Sequence, residues 1–304
     1  MTADQKMRRT GLLLGLGAYL FWGWMPIYFK AIGQVDPVEI VAHRVLWSLP
    51  FLVVLATWWR RWPAIREATT TSRVMLTLAA TTILIAINWL VFIYAIAADH
   101  VLEASLGYYL NPLANVLLGV ILLRERLTRI QTLATGLAGL GVAVLALGAG
   151  EGLWVSLTLA ASFSLYGFLR KIAPVDALEG LTIETALLAP LALGWLLWSR
   201  QAGQLGFGAF GIGTDLLLLL GGMITAIPLL LFTAAARRLP YSTLGFLQYL
   251  APSFQFLLAV LAFGEPLTTA HMVCFGAIWA ALVLFSVDGL RSAARARAAA
   301  TPAE

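Results

Sequence analysis

Polar and ionisable side chains interrupt long apolar stretches of this sequence, where they could bind a solute or carry protons. His43 and Arg44 share one such stretch, and Glu184 lies in another. An imidazole can exchange a proton near neutral pH, a carboxylate can do so where burial or a neighbouring charge raises its pKa, and a guanidinium pairs with an anion. Amide side chains, which both donate and accept hydrogen bonds, add to this set at Asn88, Asn111 and Gln248.

Motifs that would indicate catalysis or nucleotide binding are missing from the sequence. It contains no H-E-x-x-H zinc site, no G-x-S-x-G nucleophile elbow and no G-x-x-x-x-G-K-[ST] phosphate loop. The three histidines are far apart in sequence, and the single cysteine excludes a disulfide or a cysteine-based metal cluster. We therefore expect no enzymatic activity, no metal, no cofactor and no direct use of ATP.

The composition explains where these polar groups must lie. Hydrophobic residues make up 61% of the 304 positions and charged residues 12%, whereas soluble domains have roughly 45–50% and about 25%. Lipid as the surrounding solvent accommodates so much apolar surface. We expect an all-α membrane protein, whose first apolar run, residues 11–30, is a membrane helix and not a cleaved signal.

Ten stretches are long enough to cross a bilayer, for which about 20 apolar residues are needed. They span residues 11–30, 38–58, 74–97, 102–123, 129–148, 152–169, 180–198, 214–235, 241–263 and 269–289. With the N-terminus in the cytoplasm, 17 of the 20 Lys and Arg residues fall on the cytoplasmic side, as the positive-inside rule requires. Both termini are thus predicted to be cytoplasmic, and these charges need no nucleic-acid partner.

The second half of the sequence repeats the first at a constant offset of 140 residues. Between 109–128 and 249–268, nine of the twenty positions are identical, including Pro112 with Pro252. Two five-helix repeats follow, residues 11–148 and 152–289, flanked by an N-terminal segment 1–10 and a tail 290–304. Because five is odd, the second repeat enters the membrane from the opposite side, an arrangement typical of secondary transporters. A duplicated scaffold that transports nothing remains the alternative.

The charged groups inside the helices could form gates, contact a substrate or only hold helices together. Arg44 and Glu184 occupy equivalent positions in the two repeats but differ in depth by roughly 13 Å, so we expect no direct pair. We expect Arg44 to pair with Glu39 or Glu103. We expect Glu184 to pair with Lys171, Arg237 or Arg238. The candidate gate or ion-pair residues are Lys30, Glu39, Glu103, Lys171 and Arg237.

Further candidates come from helix ends and from aromatic residues. Glu125 and Glu265 precede equivalent helices, the fifth and the tenth, and a carboxylate there is favoured by the helix dipole. Aromatic side chains that could either line a cavity or pack in the core are Trp22, Tyr28, Trp89, Tyr108 and Phe246. If transport is coupled to an ion, a proton is the candidate, with His43, Glu184 and Glu103 as titratable groups.

Several segments together resemble a known family. The segments F-W-G at 21–23, H-R-V-L-W at 43–47, E-A-S-L-G-Y-Y-L-N-P at 103–112 and S-T-L-G-F at 242–246 closely resemble the RarD family. This family belongs to the EamA group of the drug/metabolite transporter superfamily, and the resemblance extends over residues 11–290.

The resemblance implies a function and a location. It implies a bacterial inner-membrane protein that exports small organic metabolites or drugs by alternating access, with membrane lipid around it. A central site would lie between helices 1, 3, 4, 6, 8 and 9. Two rival functions stay open: a carrier of sugar phosphates or lipid-linked solutes, which Arg44 would suit, and a membrane scaffold or sensor.

Overall fold

The computed structural model describes residues 3–97, 101–147, 153–262 and 269–300, which form helices and no strand. In a membrane this is the expected outcome, because a helix satisfies its backbone hydrogen bonds internally. The helices are α1 (Ala3–Gly23), α2 (Met25–Ala31), α3 (Pro37–Trp58), α4 (Trp62–Thr70), α5 (Ser72–Ala97), α6 (Val101–Ile121), α7 (Arg129–Ala146), α8 (Leu153–Ile172), α9 (Ala177–Gln201), α10 (Ile212–Ala236), α11 (Tyr241–Gln248), α12 (Leu250–Leu261) and α13 (Thr269–Ala300).

Seven helical segments of the described chain are long and apolar enough to cross a membrane, so the protein is a multi-pass membrane protein. They are Gln5–Ala31, Pro37–Trp58, Ser72–Phe92, Leu153–Ile172, Ala177–Gln201, Ile212–Ala236 and Met272–Gly289. The other three predicted crossings coincide with α6, α7 and the α11–α12 pair. That these also cross, and that the halves are inverted, remain predictions.

Two predicted crossings are broken near their middle, each next to a proline. Pro26 follows the break between α1 and α2, and Pro252 follows the break between α11 and α12. Proline has no backbone N–H and its ring crowds the preceding turn, so the carbonyls of Trp22 and Gln248 lose their ordinary helical donors. These two carbonyl oxygens can therefore accept hydrogen bonds from side chains.

Glycines allow helices from the two halves of the chain to touch closely. A Cβ on Gly222 of α10 would overlap the backbone of Trp47 and Ser48 in α3, and the Ser48 hydroxyl donates to the Gly222 carbonyl at 2.9 Å. In α11, a Cβ on Gly245 would lie 2.7 Å from the Pro112 carbonyl of α6. The first half of the chain thus packs directly against the second.

The helix bundle has two ends that are distinguished by their charged contacts. At the Glu39 end, the Glu39 carboxylate accepts hydrogen bonds from the backbone amides of Gly206 and Phe207 at 2.8 and 2.9 Å. At the Arg61 end, the Arg61 side chain binds Asp176 at 2.6 Å and also Glu179. The start of α1 lies at the Arg61 end, since Gly11 packs against Arg238 and Leu239.

Candidate functional site

A cavity of about 370 Å³ lies between the helices of both halves. Its walls come from α1, α2, α3, α5, α6, α8, α10, α11 and α12, which include every crossing that was expected to surround a site. The volume falls within the roughly 300–1,000 Å³ range of small-molecule pockets. Seven of the predicted residues line it: Trp22, Arg44, Asn88, Trp89, Tyr108, Asn111 and Gln248. That these seven bind a substrate stays a prediction.

Arg44 is the cation of this cavity, and its partners differ from those expected. Its Nε donates to the Thr225 hydroxyl at 2.7 Å, and its guanidinium carbon lies 5.5 Å from the centre of the Phe29 ring and 5.6 Å from that of Trp89. Within the described part of the chain, no carboxylate lies within 4.0 Å of it. The guanidinium is held by a hydroxyl and two rings.

The predicted pairing of Arg44 with Glu39 is wrong. Glu39 instead lies 3.5 Å from His43 Nε2 and binds the backbone amides at the Glu39 end. Five residues of helix separate Glu39 from Arg44, which places their side chains about 140° apart around α3. For Glu103, the backbone carbonyl accepts a 2.5 Å hydrogen bond from Ser156, which ties the start of α6 to α8.

Amide side chains fix the inner surface of the cavity. Asn88 donates to the Leu159 carbonyl and to the Ser162 hydroxyl, both at 3.0 Å, and Asn115 donates to Gln248 Oε1 at 2.6 Å. The side-chain oxygen of Asn111 is buried and has no hydrogen-bond partner among the described residues. Asn111 lines the cavity, but its side-chain oxygen is covered by neighbouring groups.

Gln255 is a further cavity residue that lay outside the predicted set. Its Nε2 donates to the Trp22 carbonyl at 3.0 Å, which is the carbonyl that Pro26 leaves without a helical donor. The sequence offered two signals for it, the amide itself within an apolar run and the proline four residues after Trp22. It could not show that α12 would bring an amide to that carbonyl.

Two predicted pathway residues lie outside the cavity. Phe246 stacks on Phe285 with ring centres 3.8 Å apart, and Tyr28 donates to the Leu217 carbonyl at 3.3 Å. Helical phase explains both positions. Phe246 is two residues from the lining residue Gln248, about 200° around the helix, and Tyr28 is one residue from the lining residue Phe29, about 100°.

His43 also lies away from the cavity, under the loop that joins α9 to α10. Its Nδ1 accepts a hydrogen bond from Trp47 Nε1 at 3.1 Å, and its ring stacks on Phe207 with centres 5.1 Å apart. With Glu39 3.5 Å from Nε2, the imidazole links α3 to this loop. The pair could carry a proton, but in this conformation it does not touch the cavity.

Glu184 forms a buried ion pair with a residue that the sequence interpretation missed. Its Oε1 lies 3.5 Å from the Nε of Arg170 and accepts from Thr81 at 2.5 Å, and Oε2 accepts from Tyr166 at 3.3 Å. Arg170 is fully buried and packs flat on Gly180, where a Cβ would overlap the guanidinium. The Glu184 carboxylate is therefore paired deep inside the protein.

The predicted partners of Glu184 were Lys171, Arg237 and Arg238. All three form other contacts, so that prediction is wrong. Lys171 donates to the carbonyls of Ala236 and Leu239 at 2.8 and 2.5 Å. Arg237 binds the Ala173 carbonyl at 2.7 Å and lies 3.2 Å from Asp176. Adjacent residues of a helix point about 100° apart, so sequence alone did not show that Arg170, and not Lys171, faces Glu184. The one available signal was that Arg170 is the repeat equivalent of Lys30, which lies in the last turn of α2.

Glu125 caps a different helix from the one predicted. Its carboxylate accepts from the backbone amides of Tyr241 and Ser242 at 2.5 and 2.9 Å and from the Ser242 hydroxyl at 2.6 Å, so it caps α11 and not α7. At the start of α7, Thr128 and Gln131 form a reciprocal capping box with two bonds of 3.1 Å. Glu265, predicted to cap the tenth helix, lies outside the described residues.

Aromatic rings close the cavity toward the Arg61 end. Trp22, Phe163 and Phe232 are in mutual contact, with ring centres 5.3 to 5.8 Å apart, and Tyr19 and Tyr166 pack against Phe232. Beyond them, Asp176 accepts a hydrogen bond from Arg61 and lies 3.2 Å from the Arg237 guanidinium. The hydrogen bond and charge of Glu179 raise the pKa of the Arg61 guanidinium above its ordinary value. Two layers, one aromatic and one ionic, thus seal this end.

Comparison with known proteins gives one family and one fold. The EamA-like transporter family matches residues 9–147. The chain is 46% identical to Protein RarD of Streptomyces exfoliatus over 98% of this chain and 94% of that one. It is 45% identical to Protein RarD of Escherichia coli (strain K12) over 94% of this chain and 97% of that one. An uncharacterized transporter of Vibrio cholerae is 46% identical over 98% and 99%.

Among solved structures, a protein described only as "Crystal structure of protein" aligns with a TM-score of 0.71. The alignment covers 91% of this chain and 97% of that chain at 20% identity. This likeness concerns the fold alone.

Proposed function

The chain belongs to the RarD family of EamA-like transporters, and from that premise we propose that it is a secondary carrier that exports small organic metabolites or drugs across the bacterial inner membrane. Membership and the seven apolar helices make it a membrane transporter with a small-molecule substrate.

One observation supports the proposal: a cavity lies between the two halves, with aromatic and ionic contacts between it and the Arg61 end. Alternating access requires a state that is closed at one end and its mirror, in which the opposite end closes. With a cytoplasmic N-terminus, the Arg61 end faces the cytoplasm, so these contacts would close the cavity on that side. Ten crossings in two inverted repeats would let the halves rock around the cavity.

In this proposal an ion gradient drives transport, because the sequence has no phosphate loop that would bind ATP. A proton is the candidate ion. The titratable candidates are Glu184, His43 and Glu103. Glu184, with its Tyr166 and Thr81 partners, lies between helices of the two halves, and the His43–Glu39 pair lies under the loop that joins α9 to α10.

Transport is tested directly with reconstituted protein. An untargeted comparison of metabolites in cells lacking and overproducing the protein would supply the solutes. Proteoliposomes loaded with each accumulated solute should release it down its gradient without ATP. Arg44→Ala should abolish release while the protein stays folded in the membrane, and Arg66→Ala, on the exposed face of α4, should not. Strict ATP dependence, or no release of any solute, would contradict the carrier.

The orientation is tested separately. In a Cys274→Ser background, a cysteine at position 66 should react with an impermeant thiol reagent only from the cytoplasmic side. Reaction from the periplasmic side in intact cells would reverse the assigned orientation.

A second candidate within transport is a carrier of sugar phosphates or lipid-linked solutes. The observation in its favour is Arg44, a cation without a carboxylate partner among the described residues.

A further inference from the structure

We propose that the cavity selects organic monoanions with a flat apolar body, and that the Arg44 guanidinium binds their carboxylate. This inference rests on the proposed carrier function and specifies its substrate class. Three features of the cavity carry it: its charge, the way Arg44 is held, and the rings around it.

The charge of the cavity lining is unbalanced. Arg44 is its one ionised side chain among the described residues, and the lining contains no Asp, Glu or His. A buried charge is costly unless it is paired, so a cationic solute would be repelled and the ammonium group of a zwitterion would find no carboxylate. An anion supplies the missing counter-charge.

The guanidinium is held so that its outer edge stays available. Nε is occupied by the Thr225 hydroxyl at 2.7 Å, and that hydroxyl donates to the Gly221 carbonyl at 2.8 Å. The rings of Phe29 and Trp89 lie 5.5 and 5.6 Å from the guanidinium carbon. Among the described residues, none accepts a hydrogen bond from Nη1 or Nη2. These two groups form the parallel donor pair that binds a carboxylate in bidentate fashion.

The remainder of the lining favours a flat apolar body over a polyol. Aromatic side chains surround the space on several sides: Trp22, Phe29, Trp89, Phe92, Tyr108 and Phe163. A phosphate monoester carries a charge of about −1.5 to −2 at neutral pH, which a single guanidinium would leave partly unneutralised.

Binding of three probes of one shape and different charge tests this inference. Phenylacetate, phenylacetamide and phenethylamine share a ring and a two-carbon chain, and equilibrium dialysis with radiolabelled probe measures their binding to the purified full chain. We expect phenylacetate to bind more tightly than the other two by roughly 10- to 100-fold, the range for one hydrogen-bonded charge. Phenyl phosphate, as a fourth probe, should bind less tightly than phenylacetate.

Variants assign the preference to Arg44. Arg44→Gln should remove the preference for the anion, Arg44→Lys should restore part of it, and Thr225→Val should weaken it while leaving the charge in place. Arg66→Gln, the same chemical change on an exposed surface, should bind all four probes as the wild type does. Thermal unfolding of each variant checks that the fold survives.

Several outcomes would overturn the inference: no binding of phenylacetate, equal binding of the acid and the amide, tighter binding of the amine, or tighter binding of phenyl phosphate. An Arg44→Gln protein that keeps the anion preference would overturn the role of Arg44. These failures are separate from failure of the carrier. A protein that releases neutral or cationic metabolites from liposomes without ATP would remain a carrier of another substrate class.

Discussion

The side-chain amide of Gln255 donates a 3.0 Å hydrogen bond to the backbone carbonyl of Trp22, across the break between α1 and α2. Pro26 creates the need for this bond, because a proline cannot donate to the carbonyl four residues before it. Both residues line the cavity. A helix of the second half thus completes the backbone hydrogen bonding of a helix in the first half, at the site itself.

Gln255→Leu should therefore destabilise the protein and reduce transport together. The substitution leaves the Trp22 carbonyl unpaired, at a cost of about 1–3 kcal/mol, and frees α1 to move relative to α12. Thermal unfolding in detergent and solute release from proteoliposomes measure the two effects. Gln204→Leu, in an exposed loop, is the matched control. If Gln255→Leu leaves both the unfolding temperature and the solute release unchanged, the hydrogen bond contributes to neither stability nor transport.

Glu125→Gln should destabilise the protein by weakening the cap at the start of α11. The amide keeps one acceptor oxygen where the carboxylate receives three hydrogen bonds from Tyr241 and Ser242, and loss of a helix cap costs about 0.5–2 kcal/mol. A lowered unfolding temperature is expected. Glu67→Gln, an exposed position on α4, should leave it unchanged. If the two variants have equal unfolding temperatures, the cap has no energetic role.

Arg170→Met should be the most damaging change outside the cavity, because it leaves the buried Glu184 carboxylate without its cation. Removing one partner of a buried pair costs about 3–5 kcal/mol. The double variant Arg170→Met, Glu184→Gln should recover part of this loss, since the neutral amide tolerates burial better. The yield of folded protein and its unfolding temperature report both effects.

The neighbouring cation provides the comparison for this pair. Lys171→Met removes hydrogen bonds to two backbone carbonyls but leaves no buried carboxylate unpaired. Its loss of stability should be smaller than that of Arg170→Met. The reverse order would show that Arg170 is not the partner on which Glu184 depends.

Arg61→Gln should open the sealed end of the cavity. It removes one guanidinium from the ion pairs with Asp176 and Glu179, so states with this end open become more populated. A cysteine at the lining residue Ala251, in a Cys274→Ser background, should then react several-fold faster with a thiol reagent added from that side. Arg66→Gln should not change the rate, and equal rates for the two variants would exclude Arg61 from the closure.

Much of the fold could be predicted because the membrane imposes simple rules on the sequence. Apolar runs of about 20 residues identified all seven of the spanning helices that the described chain shows. Deep polar residues in such runs must face protein or water, which is why Arg44, Asn88, Asn111 and Gln248 were found as candidates and do line the cavity. The breaks at Trp24 and Tyr249 lie shortly before Pro26 and Pro252, whereas Pro50, Pro112, Pro190 and Pro228 lie inside unbroken helices.

Which side chains contact each other was decided only by the tertiary structure. The sequence placed Lys171 beside Arg170 and Phe246 near Gln248, but it did not fix the rotation of each helix, and about 100° of rotation exchanges one neighbour for the next. Packing sets that rotation: Gly180 leaves room for the Arg170 guanidinium, and Gly222 lets α10 touch α3. Hence the sequence determined which residues had to be inside, and the contacts between helices determined that Arg44 meets Thr225, Glu184 meets Arg170 and Glu125 caps α11.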